Sequence, residues 1–364
     1  VIATHGRGFW ILDDVTPLRQ MAAARAAGSA YLFKPATAVR VRFGTNDPTP
    51  WPPELLAGEN PPPGGIIDYY LAADAPGPVS LEILDPAGAV VRSYSSDDPV
   101  LAPDPGFDAD AYDEVCQRAS AAPDCDVPLY WPAPQMRLSP RAGMHRFSWD
   151  LRFDPIGERG PGAANGAAVP HRTYPSVYAP WAPPGAYTVR LTVGGRHYTQ
   201  PLRLDLDPRV KTPAPALVQE AALTREMYLG ARAAHADAER ARALVTVLGK
   251  MEGEGVAGFR AQVESLAPAP TPGGRGGSRG RGRRGGGKTA PTLESVSGAM
   301  LGAAMAMQDA DVTPTAEEVA ACVRARADAA PVLRKWNALV GVELQALNAR
   351  RKAAGQPAIV VPGS

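Results

Sequence analysis

Apolar residues recur at two different spacings along this chain, and the change falls near residue 212. Before it, apolar and polar positions alternate in short runs. Val79, Leu81 and Ile83 face one way with Ser80 and Glu82 the other, and Tyr187, Val189, Leu191 and Val193 alternate with Thr188, Arg190 and Thr192. That period of two marks half-buried strands. Residues 89–94, 144–149 and 197–206 add further strand patterns. Turn signals separate them: Asp85-Pro86-Ala87-Gly88 has Pro second and Gly fourth, and Gly194-Gly195 is a two-residue hairpin turn. Short strands at regular spacing predict a β-sandwich of the Ig or fibronectin kind. At the start, two apolar runs (1–4 and 9–12) flank His5-Gly6-Arg7-Gly8 and predict a β-hairpin. A lone hairpin is marginal in water, so this one needs a sheet to join, and the chain is expected to open at the cut edge of a larger protein.

From Thr212 the period lengthens. Leu223, Met227, Ala231, Ala234, Ala238, Ala241, Val245 and Leu248 recur at spacings of three and four, which places them on one helix face. Thr212 and Pro213 supply an N-cap and a first-turn proline, and Gly249 a stop. Phe259, Val263 and Leu266 predict a short second helix, and 293–310 an Ala- and Met-rich third. Thr313-Pro314 starts a fourth through Val319, Val323, Trp336, Leu339, Leu344 and Leu347, which Pro331 should break or kink. Antiparallel packing of these segments makes a C-terminal α-helical bundle.

Composition adjusts this picture in three places. Gly 37 and Pro 39 together make about one residue in five, well above the usual share. They concentrate in a connector (47–65), an insertion (97–140) and a tract at 273–288. That tract holds six of the 38 basic residues and no acid, so the rest of the chain carries 32 against 37 acidic ones. Its glycines make it first a flexible linker. The sharper alternative is RNA or DNA binding, but no aromatic residue interleaves the arginines to stack on bases. With a formal charge of +1 overall, no global field draws polyanions. No apolar run reaches membrane-spanning length; 298–307 is the nearest and too short.

Candidate chemistry is sparse. Five histidines lack the spacing of a helical metal site, and there is no His-Glu-x-x-His. Gly282 to Thr289 fits the letters of a phosphate-binding loop, yet no apolar strand precedes it. No metal and no cofactor are expected. Carboxylates remain: Asp13 beside Asp14, and Asp150 with Asp154. Glycoside hydrolysis needs two carboxyls about 5 to 9.5 Å apart across the scissile bond. The competing structural role is turn support, with Asp150 and Arg152 as an exposed strand pair. Trp51 and Trp131, in loops, are the candidates for stacking on sugars, and Trp149 is expected in the core. Cys322 sits on a helix pattern as a small buried hydrophobe.

The segment from Thr4 to Gln20, His5-Gly6-Arg7-Gly8-Phe9-Trp10-Ile11-Leu12-Asp13-Asp14 at its centre, resembles the closing blade of large bacterial sortilin-like propellers, the BNR-repeat proteins often labelled glycosyl hydrolases. Glu59-Asn60-Pro61-Pro62, Trp149-Asp150-Leu151-Arg152, Pro184-Gly185-Ala186-Tyr187 and Asp207-Pro208-Arg209 resemble the segments that follow that propeller. No Ser-x-Asp-x-Gly-x-x-Trp box occurs in the chain.

Over about the first 215 residues the resemblance implies closing β-propeller strands at 1–45 and an Ig-like β-sandwich at 46–211 carrying the insertion 97–140; with the helical bundle read at 212–355, interrupted by 273–288, this gives a multidomain β-plus-α architecture. The resemblance also implies a non-catalytic accessory region of a secreted protein, extracellular or periplasmic. Its partners would be an upstream propeller of the same protein and a carbohydrate or protein ligand, with membrane and nucleic acid disfavoured. The alternative is a share in a glycosyl hydrolase whose active site lies on the propeller, with Asp13, Asp150 and Asp154 as runner-up catalytic residues. Secretion in that family also favours a Cys116–Cys125 disulfide over two unrelated thiols.

Overall fold

The computed structural model describes residues 2–5, 8–12, 14–42, 64–98, 137–157, 178–269 and 290–362. The chain divides into two compact units, Val1–Lys211 and Thr212–Ser364. The class they define is mixed α and β: largely antiparallel sheets in the first unit and helices in the second.

The first unit opens on a hairpin, β1 (Ile2–Thr4) and β2 (Gly8–Trp10), which forms a two-stranded sheet of its own. A 3₁₀ turn (Leu18–Gln20) and α1 (Met21–Ala26) follow. Two larger sheets carry the bulk. Strands β3 (Ala30–Leu32), β5 (Gly65–Leu71) and β8 (Gly143–Trp149) form a three-stranded antiparallel sheet in the order β3-β5-β8. Strands β4 (Ala38–Arg40), β6 (Ser80–Leu84), β7 (Val90–Ser95), β9 (Gly185–Val193) and β10 (Arg196–Leu206) form a sheet in the order β4-β10-β9-β6-β7, antiparallel except that β4 runs parallel to β10.

The period-two pattern explains the core. Leu81 and Ile83, then Tyr187, Val189 and Leu191, are buried, while Glu82 and Arg190 pair on the opposite face through Nε to Oε2 at 2.7 Å. Gly194 and Gly195 take φ of 54° and 77°, which the two-residue turn between β9 and β10 requires. Trp149 of β8 meets Tyr187 of β9 edge-on at 5.3 Å, and Phe147 meets Tyr94 of β7 at 4.6 Å. The two sheets therefore share one core. Trp149 is fully buried, as expected, with its indole Nε1 donating to the Arg152 carbonyl at 3.0 Å.

In the second unit α2 (Ala214–Leu248), α3 (Val256–Leu266), α4 (Leu293–Ala306) and α5 (Ala316–Ala338) are followed by a π-helical turn (Leu339–Glu343) and α6 (Leu344–Ala353). Small residues let α2 and α4 approach closely, and the Ser297 hydroxyl donates to the Ala231 carbonyl at 2.9 Å.

Several boundaries differ from the sequence expectation. Thr212 does not cap α2; Pro213 stands at that position, and the Thr212 hydroxyl donates instead to the Asp311 carbonyl at 2.5 Å. The third helix stops at Ala306, short of residue 310, and Gln308 turns inward to donate to Glu220 and Thr224. Pro331 does not break α5, which runs through it; the ring is exposed, and the irregular turn comes at Leu339–Glu343.

Candidate functional site

Of the residues singled out from sequence, Asp13, Trp51, Trp131, Cys116 and Cys125 lie outside the described residues, as does the tract at 273–288. Asp150 and Asp154 lie within them, where β8 ends and the chain crosses toward β7. Leu151 makes the corner. It is buried yet holds φ of 59°, a left-handed conformation that costs an ordinary L-residue roughly 1–2 kcal/mol. The surrounding backbone bonds hold it there: the Ala182 amide donates to the Leu151 carbonyl at 2.7 Å, Phe153 N to the Pro180 carbonyl, and Asp154 N to the Val91 carbonyl.

On this corner two carboxylates share one guanidinium. Arg92 Nη2 lies 3.2 Å from Asp150 Oδ2, and Nη1 lies 3.6 Å from Asp154 Oδ1. Arg92 Nη1 also donates to the Phe153 carbonyl at 3.3 Å. Asp150 Oδ1 accepts from the Arg152 amide at 3.1 Å and the Tyr94 hydroxyl at 3.4 Å. Asp154 Oδ1 accepts from the Ser93 amide. Asp150 is therefore half-buried and tied to β7, and the expectation of an exposed pair with Arg152 is corrected. Its turn-supporting bond to Arg152 N is present.

Arg152 turns the other way. Its guanidinium stacks on the Trp181 ring at 4.0 Å and donates through Nη1 to the Ala179 carbonyl at 2.6 Å. Arg42 approaches the same ring at 5.8 Å, and Arg40, buried in β4, donates to the Ala182 carbonyl at 2.8 Å.

Burial and mutual charge set the electrostatics. Desolvation raises the Asp150 carboxyl above its ordinary value, although Arg92 and the Arg152 amide oppose it. Burial likewise raises the Tyr94 phenol, and the Asp150 charge adds to that. Burial draws Arg152 down to about 10, and the neighbouring Arg42, Arg40 and Arg92 add to the loss while Asp150 resists it. Arg92 stays firmly cationic, because Asp150, Tyr94 and Asp154 outweigh its burial.

A glycosidase pair holds its carboxyls on either side of a bond with a free lone pair on each. Here Asp150 and Asp154 are drawn to one guanidinium, and Asp150 takes three donors. This arrangement braces the corner. Arg92, Tyr94 and Trp181 are members that sequence reasoning passed over. Nothing in a strand pattern says which arginine will meet which acid or which ring.

Elsewhere, Asp14 Oδ1 accepts from the Thr16 amide at 2.8 Å, the turn-supporting role expected of the Asp13-Asp14 pair. Cys322 is a buried free thiol, raised chiefly by burial. Among the described residues no group of three or more His, Cys, Asp or Glu side chains is placed to hold a metal ion, and no helix is long and apolar enough to cross a membrane. An open groove of ≈ 580 Å³ on the helical unit has an apolar floor of Leu248, Met251 and Val256 with Glu252, Arg260 and Glu264 on its rim.

A cluster of exposed large apolar side chains lies on the hairpin and the residues just after it. Ile2 is 67%, Trp10 65%, Ile11 65% and Leu12 57% exposed. Ile2 and Trp10 stand directly opposite each other across the pair.

No family model matches the chain, and neither a curated protein nor a solved structure does.

Proposed function

We propose that this chain is a non-catalytic accessory and interaction region of a secreted sortilin-like BNR propeller protein, and that it seats on an upstream propeller through the hairpin β1–β2. The observation that carries this reading is the hairpin itself: two strands in a sheet of their own, with Ile2, Trp10, Ile11 and Leu12 turned to solvent. Two strands alone are marginal in water, and an open edge beside apolar side chains is a template for strand addition. The propeller sheet would supply the missing neighbour. Two sheets around one core favour an Ig- or fibronectin-like sandwich beside that joint, and the helices of the second unit favour a bundle offering a packing surface. The bracing geometry at Asp150 and Asp154 favours accessory work over glycoside hydrolysis in this chain.

The test has two arms. Replacing Trp10 and Ile11 together by Ser is expected to weaken association with the propeller at least about tenfold, since two large apolar side chains leave the interface. Association unchanged by that double substitution would remove the hairpin from the joint. The chain alone is expected to release no sugar from a polysaccharide and sialoside panel. Release that disappears in Asp150→Asn would install the glycosyl hydrolase reading instead.

A further inference from the structure

The apolar surface does not end with the hairpin. Val15, 39% exposed, and Leu18, 53% exposed, carry it onto residues 14–20, the stem that leads to α1. The stem itself is tied to the first unit. Pro17 is buried, the Thr16 amide donates to Asp14 Oδ1 at 2.8 Å, and the Leu18 amide donates to the Val15 carbonyl at 3.0 Å. The Gln20 side chain accepts from Lys34 N at 2.9 Å and donates to Lys34 O at 3.0 Å. Arg146, bonded through Nε to the buried Asp68 of β5 at 2.9 Å, reaches the Asp14 carbonyl from Nη2 at 3.4 Å. A backbone tied at both ends thus holds two large apolar side chains out in water.

Area and charge say what fits there. At their exposures Ile2, Trp10, Ile11 and Leu12 offer on the order of 550 Å², and Val15 and Leu18 raise this to on the order of 700 Å², close to the roughly 800 Å² that each partner buries in a stable interface. Cations border the stem. From Val15 to Asn46 the chain carries five basic residues and no acidic one. Three of them are exposed: Arg19 on the stem, Arg25 on α1, and Lys34, which the Gln20 bonds bring beside the stem. Among the described residues none of these three side chains meets an acid.

We propose that the stem is a second half of the docking surface, and that its partner is a protein patch, apolar at the centre and bordered by carboxylates, on the upstream propeller. This rests on the docking reading above and adds the partner's chemistry to it. The apolar side chains supply the burial, while Arg19, Arg25 and Lys34 select the approach through charge complementarity. A bilayer with anionic headgroups also offers apolar and acidic groups. Its hydrocarbon, however, cannot bond the backbone amides and carbonyls along the edge of the adjoining hairpin, which a protein sheet can. Because the stem is tied to the first unit, docking through it also fixes how that unit stands on the partner.

Hydroxyl-radical footprinting compares residues 1–364 alone with the whole protein, propeller included. Val15 and Leu18, like Trp10 on the hairpin, are expected to react at least about threefold more slowly in the whole protein, as side chains at the centre of an interface do. Carbodiimide, which joins an amine to a carboxylate in contact with it, is expected to link Lys34 to an acidic residue upstream of residue 1. Arg19→Lys and Arg25→Lys should each gain a link of the same kind. Protection of Trp10 with Val15 and Leu18 left as reactive as in the chain alone would remove the stem from the surface and leave hairpin docking standing. Protection of Val15 and Leu18 without Trp10 would do the reverse, and protection of none of the three would overturn both. Protection without any such link would sink the carboxylate border. Binding of the chain to vesicles of phosphatidylcholine and phosphatidylserine, with no protection in the whole protein, would replace the protein partner by a membrane.

Discussion

At Gly64 the backbone enters β5 with φ of +121°, and a methyl group there would stand 2.1 Å from the Trp149 carbonyl oxygen and 2.6 Å from Ser148 Oγ. Neither neighbour is the loose end of a flexible side chain. Gly64→Ala is therefore expected to destabilise the first unit by about 3 kcal/mol or more, combining a disfavoured φ with a backbone clash. Urea unfolding measures it, and a loss below about 1 kcal/mol would mean that β8 moves aside. Asp207 presents the opposite case, a residue held by what surrounds it. The Arg209 guanidinium and amide hold its carboxyl down to about 2, from an ordinary value of 3.8. A depressed carboxyl stabilises the fold above its unfolded value and loses that contribution as pH falls through its folded one. Carboxyl ¹³C titration should place Asp207 near that value in the wild type and well above it in Arg209→Met. Asp207-Pro208-Arg209 stands out in the sequence as a motif, and its physical content is this turn: the Arg209 amide donates to Asp207 Oδ1 at 2.8 Å and Val210 N to the Asp207 carbonyl at 2.9 Å.

Helix α5 carries two features of opposite sign. At its start Thr315 and Glu318 cap each other: Thr315 Oγ1 accepts from Glu318 N at 3.2 Å, and Glu318 Oε2 accepts from Thr315 N at 2.6 Å. Thr315→Ala should cost about 1 kcal/mol, the worth of a side-chain cap. The spacing Thr-x-x-Glu was legible at 315–318, and the preceding Thr313-Pro314 drew the expected start two residues too early. In its interior, Pro331 lacks the amide that a helix uses and presses on the preceding turn. Because the position is exposed, Pro331→Ala sacrifices little packing and is expected to raise stability by about 1–3 kcal/mol. Thermal unfolding with a midpoint below the wild type's would show that the proline serves a purpose other than helix formation. In α2 the expected face holds from Met227 to Ala241 and again at Leu248, and misses by one residue at two positions. Thr224 and Leu244 are buried where Leu223 and Val245 were expected. Glu220 and Thr224 gain their place from Gln308, a partner 84 to 88 residues away that no local period can announce.

The chain as a whole separates at Lys211 and Thr212 into two units, each with its own buried core. Residues 1–211 and 212–364 expressed separately are each expected to unfold in a cooperative transition, the behaviour of parts that own a core. A fragment without a transition would show that its core is completed by the other. At this scale the exposed hairpin matters most, because it is the one sheet whose two strands find no third among the described residues.

What the sequence determined by itself were the local terms: alternation at 79–83 and 187–193, the paired glycines at 194–195, and the three-four spacing from Met227 to Ala241. Each is decided by neighbours within a few residues, so each is readable along the chain. Tertiary structure alone decided which strands share a sheet, with β4 crossing to lie parallel beside β10, 166 residues further along. It also decided that Asp150 and Asp154 meet on Arg92, that Leu151 takes a left-handed turn, and that Asp68 is buried against Arg146. These depend on how distant charges are brought together and how much water is removed between them, and a linear pattern carries neither quantity.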